Sequence, residues 1–148
     1  VTGPEFAVVV RLDRIGPQWS SQKLVADAAV RGALAQRFEL LALDRLEASV
    51  RWRRVDGGTA VLVEGDLSAS VVQACVATGL PVPATIAEPF NVKFVPADQI
   101  DDDALDVWDP QDLEPLPDNE IDIGELVAQS LSLALDPYPR VGEEAPRG

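Results

Sequence analysis

The chain has 148 residues, the length of one domain and too short for two lobes around a cleft, and 47% of them are hydrophobic, enough for a core. It has no His and a single Cys, which excludes imidazole chemistry, an internal disulfide and a Cys-only metal site. Twelve Lys and Arg stand against 25 Asp and Glu, and a net charge of −13 argues against affinity built mainly on phosphate contacts.

Phe6–Leu12 is predicted as the first strand, with Val8, Val9 and Val10 supplying β-branched content. That run is short and ends at Arg11, so no signal peptide is expected. No apolar run nears the roughly 18–20 residues that span a bilayer. The expectation is a soluble, cytoplasmic protein with no membrane partner. Ile15–Ser21 contains Gly16-Pro17 and is predicted as a loop, followed by a short strand over Gln22–Ala26. Asp27 suits an N-cap, and Val30, Leu34, Phe38 and Leu41 recur at helical spacing, which predicts a helix from Ala28 to Phe38.

Leu46–Val55 and Thr59–Ala69 flank Asp56-Gly57-Gly58, a hairpin signal because the turn needs positive φ. Val71–Ala74 continues as strand, Gly79 with Pro81 marks a turn, and Val82–Ala87 and Phe90–Val95 are predicted as two further strands. At the far end Asp122 and Glu125 form a capping-box pattern, with Ile121 and Leu126 placed for a hydrophobic staple. Ile123, Val127, Leu131 and Ala134/Leu135 share one helix face, and Pro137 ends it. The predicted fold class is α+β: a largely antiparallel β-sheet of five or so strands, two helices and an acidic loop, in a single domain over residues 1–148.

Charge is divided sharply along the chain. Residues 1–93 hold ten basic and ten acidic residues, whereas residues 94–148 hold two basic and fifteen acidic, so the last third carries the whole −13. The segment 98–120, acidic and rich in Pro, is predicted as a flexible loop. Its Asp101, Asp102, Asp103 and Asp106 lack the Gly and distal Glu of a calcium loop and are read as solvated carboxylates, so no metal is expected. Cys75 has no second Cys or His to share a metal and no adjacent base, and is read as a small buried hydrophobe. Arg51-Trp52-Arg53-Arg54 mixes stacking and phosphate-pairing side chains. As a strand it puts Arg51 and Arg53 on one face, either a candidate RNA contact or a solvated surface, with Trp52 opposite and in the core. No catalytic constellation is visible.

Two blocks carry a family resemblance. The first is Cys75-Val-Ala-Thr78-Gly-Leu-Pro81-Val82 with Glu88-Pro-Phe90 and Phe94-Val-Pro96; the second runs from Ile121 through Glu125 to Asp136-Pro-Tyr138-Pro-Arg140. Their order, and the acidic stretch between them, resemble the YceD family of large ribosomal RNA subunit accumulation proteins, over roughly residues 5–142. Candidate positions matching its motifs are Cys75, Thr78, Pro81, Glu88, Phe90, Glu125, Asp136, Tyr138 and Arg140. Many relatives carry a second Cys where this chain has Thr78, and a Cys-rich tail where it has Gly142–Gly148, so no zinc role is carried over. The resemblance implies a non-enzymatic ribosome-biogenesis factor, without cofactor, supporting 23S rRNA synthesis, processing or stability. The alternative is an acidic adaptor for a basic partner. Given the charge, the expected partner is a pre-ribosomal particle or a basic ribosomal protein, with rRNA contact weak on its own.

Overall fold

Alternating apolar residues decide which face each strand of this protein buries, and long uninterrupted alternation makes the strands long. The computed structural model describes residues 8–99 and 112–140. The elements are β1 (Val9–Arg11), β2 (Ser20–Val25), α1 (Ala28–Arg37), β3 (Ala42–Val55), β4 (Ala60–Ala74), β5 (Pro81–Val95), β6 (Asp112–Pro115), β7 (Glu120–Asp122) and α2 (Ile123–Ala134). Strands β2, β3, β4 and β5 form an antiparallel meander, β6 joins β5 in parallel, and β1 pairs with β7 as a separate ribbon. The class is α+β with a mostly antiparallel sheet, as expected.

On one sheet face Leu46, Ala48, Val50 and Trp52 of β3 lie opposite Ala69, Leu67, Gly65 and Val63 of β4. These in turn lie opposite Ile86, Glu88, Phe90 and Val92 of β5. The buried residues of this face share one core with Leu34 of α1 and with Ile123, Val127 and Leu131 of α2. The other face carries Glu47, Ser49, Arg51 and Arg53 on β3 and Glu64, Asp66, Ser68 and Ser70 on β4. It is polar and open.

Both helices start where expected. The Asp27 carboxylate accepts from Val30 N–H at 2.9 Å, and that of Asp122 from Glu125 N–H at 3.0 Å. The capping box is not reciprocal, however, because the Glu125 carboxylate is engaged by Arg37 and Gln129 instead. The β3–β4 turn has positive φ at Asp56, Gly57 and Gly58 (55°, 71° and 96°).

Four expectations need correction. Val82–Ala87 and Phe90–Val95 are one 15-residue strand, β5, with no break at Pro89. Strand β3 begins at Ala42, earlier than predicted, and takes up a bulge between Leu43 and Arg45. Strand β2 starts at Ser20, inside the predicted loop. Of the acidic segment 98–120, residues 100–111 lie outside the described residues, as does the start of the predicted Phe6–Leu12 strand. The described remainder is not all loop: Leu113 and its neighbours form β6 against Val92–Val95, and Glu120 opens β7. The apolar Leu113 and Leu116 of this segment, both partly buried, supply the local reason.

Candidate functional site

The start of the first motif block and the end of the second meet at one end of the sheet. After β4 the chain turns through residues 75–80. Cys75 N–H donates to the Leu80 carbonyl at 2.8 Å, Gly79 N–H to the Cys75 carbonyl at 2.8 Å, and Leu80 N–H to the Thr78 hydroxyl at 3.2 Å. Gly79 takes φ 78°, which favours glycine there. Pro81 then opens β5 opposite Ala74. The segment after α2 docks on this turn: Val76 N–H donates to the Pro139 carbonyl at 2.9 Å and the Gln73 amide to the Asp136 carbonyl at 2.9 Å. The Asp136 carboxylate accepts from Tyr138 N–H at 2.9 Å, an Asx turn that holds the segment's shape. Pro139 is buried, while Tyr138 and Arg140 are exposed.

Cys75 is only 5% exposed, so it closes the turn as a packed side chain. Around it the surface is apolar: Leu41, Val76, Leu80 and Tyr138 each stand at least half exposed. Exposed apolar residues gathered near one turn offer a surface for an interaction.

Glu88 and Phe90 lie elsewhere, midway along β5. Phe90 is the cross-strand partner of Gly65, and its ring covers the space a side chain there would take. A Cβ on Gly65 would collide with the Ser49 carbonyl and stand 3.1 Å from the Phe90 ring. Both motif residues line an open groove of about 1260 Å³, together with Gln22, Val50, Gly65, Asn91 and the last turns of α2.

Glu125 is placed a third way. At the start of α2 its carboxylate receives both terminal nitrogens of Arg37, at 3.1 and 2.8 Å, tying the end of α1 to the start of α2. These hydrogen bonds hold its carboxyl below the usual range, against the opposing effect of burial and with a smaller contribution from Gln129. Glu125 therefore serves as a bridge between helices.

Arg51 and Arg53 sit on the open face, and Trp52 is in the core at 7% exposure, as expected. The aromatic partner of the arginines is one that the local run Arg51–Arg54 could not reveal. Trp19, just before β2, lies 4.2 Å from the Arg51 guanidinium carbon and 5.3 Å from that of Arg53, measured to the ring centroid. Arg51 also pairs with Glu64 across the strand. No local sequence pattern marks Trp19; its place beside the arginines becomes legible only once the β2–β3 register is known. Arg54 is structural: it donates to the carbonyls of Leu12, Ile15 and Gly58.

Among the described residues no three His, Cys, Asp or Glu side chains converge as a metal site, and no helix is long and apolar enough to cross a membrane. No curated protein and no solved structure matches the chain. The model of the family described as "Large ribosomal RNA subunit accumulation protein YceD" matches residues 63–148. That span includes the turn, β5, α2 and the docked tail, but not Trp19, Arg51 or Arg53. With more than half of its length matched, and with the start of the first motif block docked against the end of the second, the chain belongs to the YceD family.

Proposed function

We propose that this protein is a non-enzymatic, cytoplasmic ribosome-biogenesis factor that supports 23S rRNA synthesis, processing or stability. It does so by engaging a basic ribosomal protein or a pre-ribosomal particle. Family membership carries the reading, and the division of charge favours the mode. Exposed carboxylates stand on β6 (Glu114), between β6 and β7 (Asp118), at the start of β7 (Glu120) and just after β5 (Asp98). Such a tract attracts a basic partner quickly and with strong salt dependence, and repels bare RNA at long range. The exposed apolar residues around the 75–80 turn supply a surface for short-range contact.

The test is the ratio of 23S to 16S rRNA in a strain lacking the protein, with the wild-type gene restored as control. A lowered ratio, corrected by the restored gene, is the expected result. An unchanged ratio would overturn the rRNA role and leave an acidic adaptor for a basic protein as the surviving reading. Titration against deproteinised rRNA and against pre-ribosomal particles at two salt concentrations tests the mode. Particles are expected to bind tighter.

A further inference from the structure

We propose that Trp19, Arg51 and Arg53 form a binding site for a short stretch of single-stranded RNA, a base stacking on Trp19 and a phosphate pairing with Arg53. The inference rests on the ribosomal RNA reading above only for its biological setting. Its chemistry comes from the cluster itself.

The β2–β3 register sets Ser20 opposite Trp52 and Ser21 opposite Arg51, so Trp19 falls beside Arg53 on the open face. The indole remains 40% exposed although both guanidiniums lie against it. An apolar ring this large, exposed on an otherwise polar sheet face, is poised for a planar partner. The two arginines differ. The charge of Arg51 is met by Glu64. No carboxylate meets Arg53 among the described residues, and its Nε is buried without a hydrogen-bond acceptor. The buried Nε is out of a phosphate's reach, so half-buried Arg53 can offer an anion only its terminal nitrogens, next to an aromatic plane open to a stacking partner. A nucleotide supplies both in one unit.

Other anionic partners fit less well. An acidic peptide would use Arg53 and leave the indole unfilled. A flat anionic membrane would meet Asp66 on the same face, whereas a flexible single strand need touch only the ring and Arg53. A duplex keeps its bases stacked on each other, so only an unpaired base can reach the ring. With one unpaired guanidinium, the site makes few phosphate contacts, which gives weak binding and a shallow salt dependence.

The experiment measures fluorescence anisotropy of a labelled, mixed-sequence single-stranded RNA of about ten nucleotides. The full chain is titrated at about 50 and about 200 mM salt. A duplex of the same length and a polyglutamate peptide serve as competitors. Trp19→Ala is expected to weaken single-strand binding about tenfold, and Trp19→Phe by much less. Arg53→Gln is expected to weaken it and flatten the salt dependence by about one phosphate contact. Both positions are outside the core, and unchanged thermal unfolding of the variants confirms folding. Wild-type affinity in Trp19→Ala, duplex competition as strong as single-strand competition, or displacement by polyglutamate at matched charge would each overturn the site. The 23S to 16S ratio decides the biological reading separately, since it can fail while the titration succeeds.

Discussion

Glu39 holds a backbone conformation that side chains disfavour. It follows the last residues of α1 with φ 58°, and its N–H donates to the Gln36 carbonyl at 3.3 Å while that of Leu40 donates to Ala35 at 2.8 Å. This is a Schellman ending, whose left-handed position usually belongs to glycine. Glu39→Gly should therefore stabilise the protein, by about 0.5–1 kcal/mol, the left-handed penalty relieved less the added entropy of glycine in the unfolded chain. Urea unfolding measures this directly, and a loss of stability would show that the Glu39 side chain contributes more than its backbone strain costs. At Glu125 the sign follows from the depressed carboxyl. Because the folded form ionises below the ordinary value near 4.5, the Arg37 pair stabilises fully above that value and is lost as pH falls through the folded one. Glu125→Gln should cost about 0.5–1 kcal/mol near neutral pH, a modest value because the pair is partly exposed. The difference should vanish in acid; a penalty independent of pH would assign it to packing. Residue roles were legible where a local pattern sufficed, as for the Asp27 and Asp122 caps and the burial of Cys75 and Trp52. The roles of Glu125 and Trp19 depend on partners 88 and 32–34 residues away, which no local spacing announces.

Strand β5 explains why a proline need not end a strand. Val95, whose carbonyl accepts from Leu116 N–H at 2.8 Å, points its backbone away from β4. Backbone direction alternates along the strand, so Pro81, Pro83 and Pro89, all at odd positions like Val95, face outward as well and remove no bond from the β4 ladder. They also blunt the exposed edge against pairing with another chain, and β6 attaches only along Val92–Val95, where proline is absent. A proline's effect on a strand thus depends on which edge its nitrogen faces. Across the sheet, Gly65 has a different necessity. The Ser49 carbonyl and the Val50 Cα, the latter 3.0 Å from a hypothetical Cβ, are backbone atoms that cannot swing aside as a flexible side chain can. Gly65→Ala should cost about 1–3 kcal/mol. Adding Phe90→Leu should not rescue it, because the collision is with backbone. Chemical denaturation of the single and double variants checks this, and rescue by the second change would place the clash on the ring instead.

At the scale of the whole molecule, the long meander brings the chain's late segments back to its middle. The class and the two helices could be read from periodicity, but β6, the β1–β7 ribbon and the docking of the tail could not. Each is a long-range pairing of short segments whose own sequence does not specify a partner. The docking has the clearest mechanical consequence. The turn after β4 closes on itself through Cys75 and Leu80, yet Val76 N–H and the Gln73 amide both point to carbonyls of the tail. Of the docked segment only Pro139, whose carbonyl takes the Val76 bond, is buried, while the Gln73–Asp136 bond is exposed. Removing the residues beyond Leu135 should therefore leave the β3–β4 ladder intact while releasing the turn. Amide exchange at Val76 should accelerate strongly, with little change at Val61 and Val63 in the core. Global stability should fall by about 1–2 kcal/mol, the worth of one or two hydrogen bonds. The apolar residues Val76 and Leu80 would then lose their fixed arrangement, and binding to pre-ribosomal particles should weaken with them. Retained protection at Val76 after truncation would show that the turn is self-sufficient and that the tail only rests upon it.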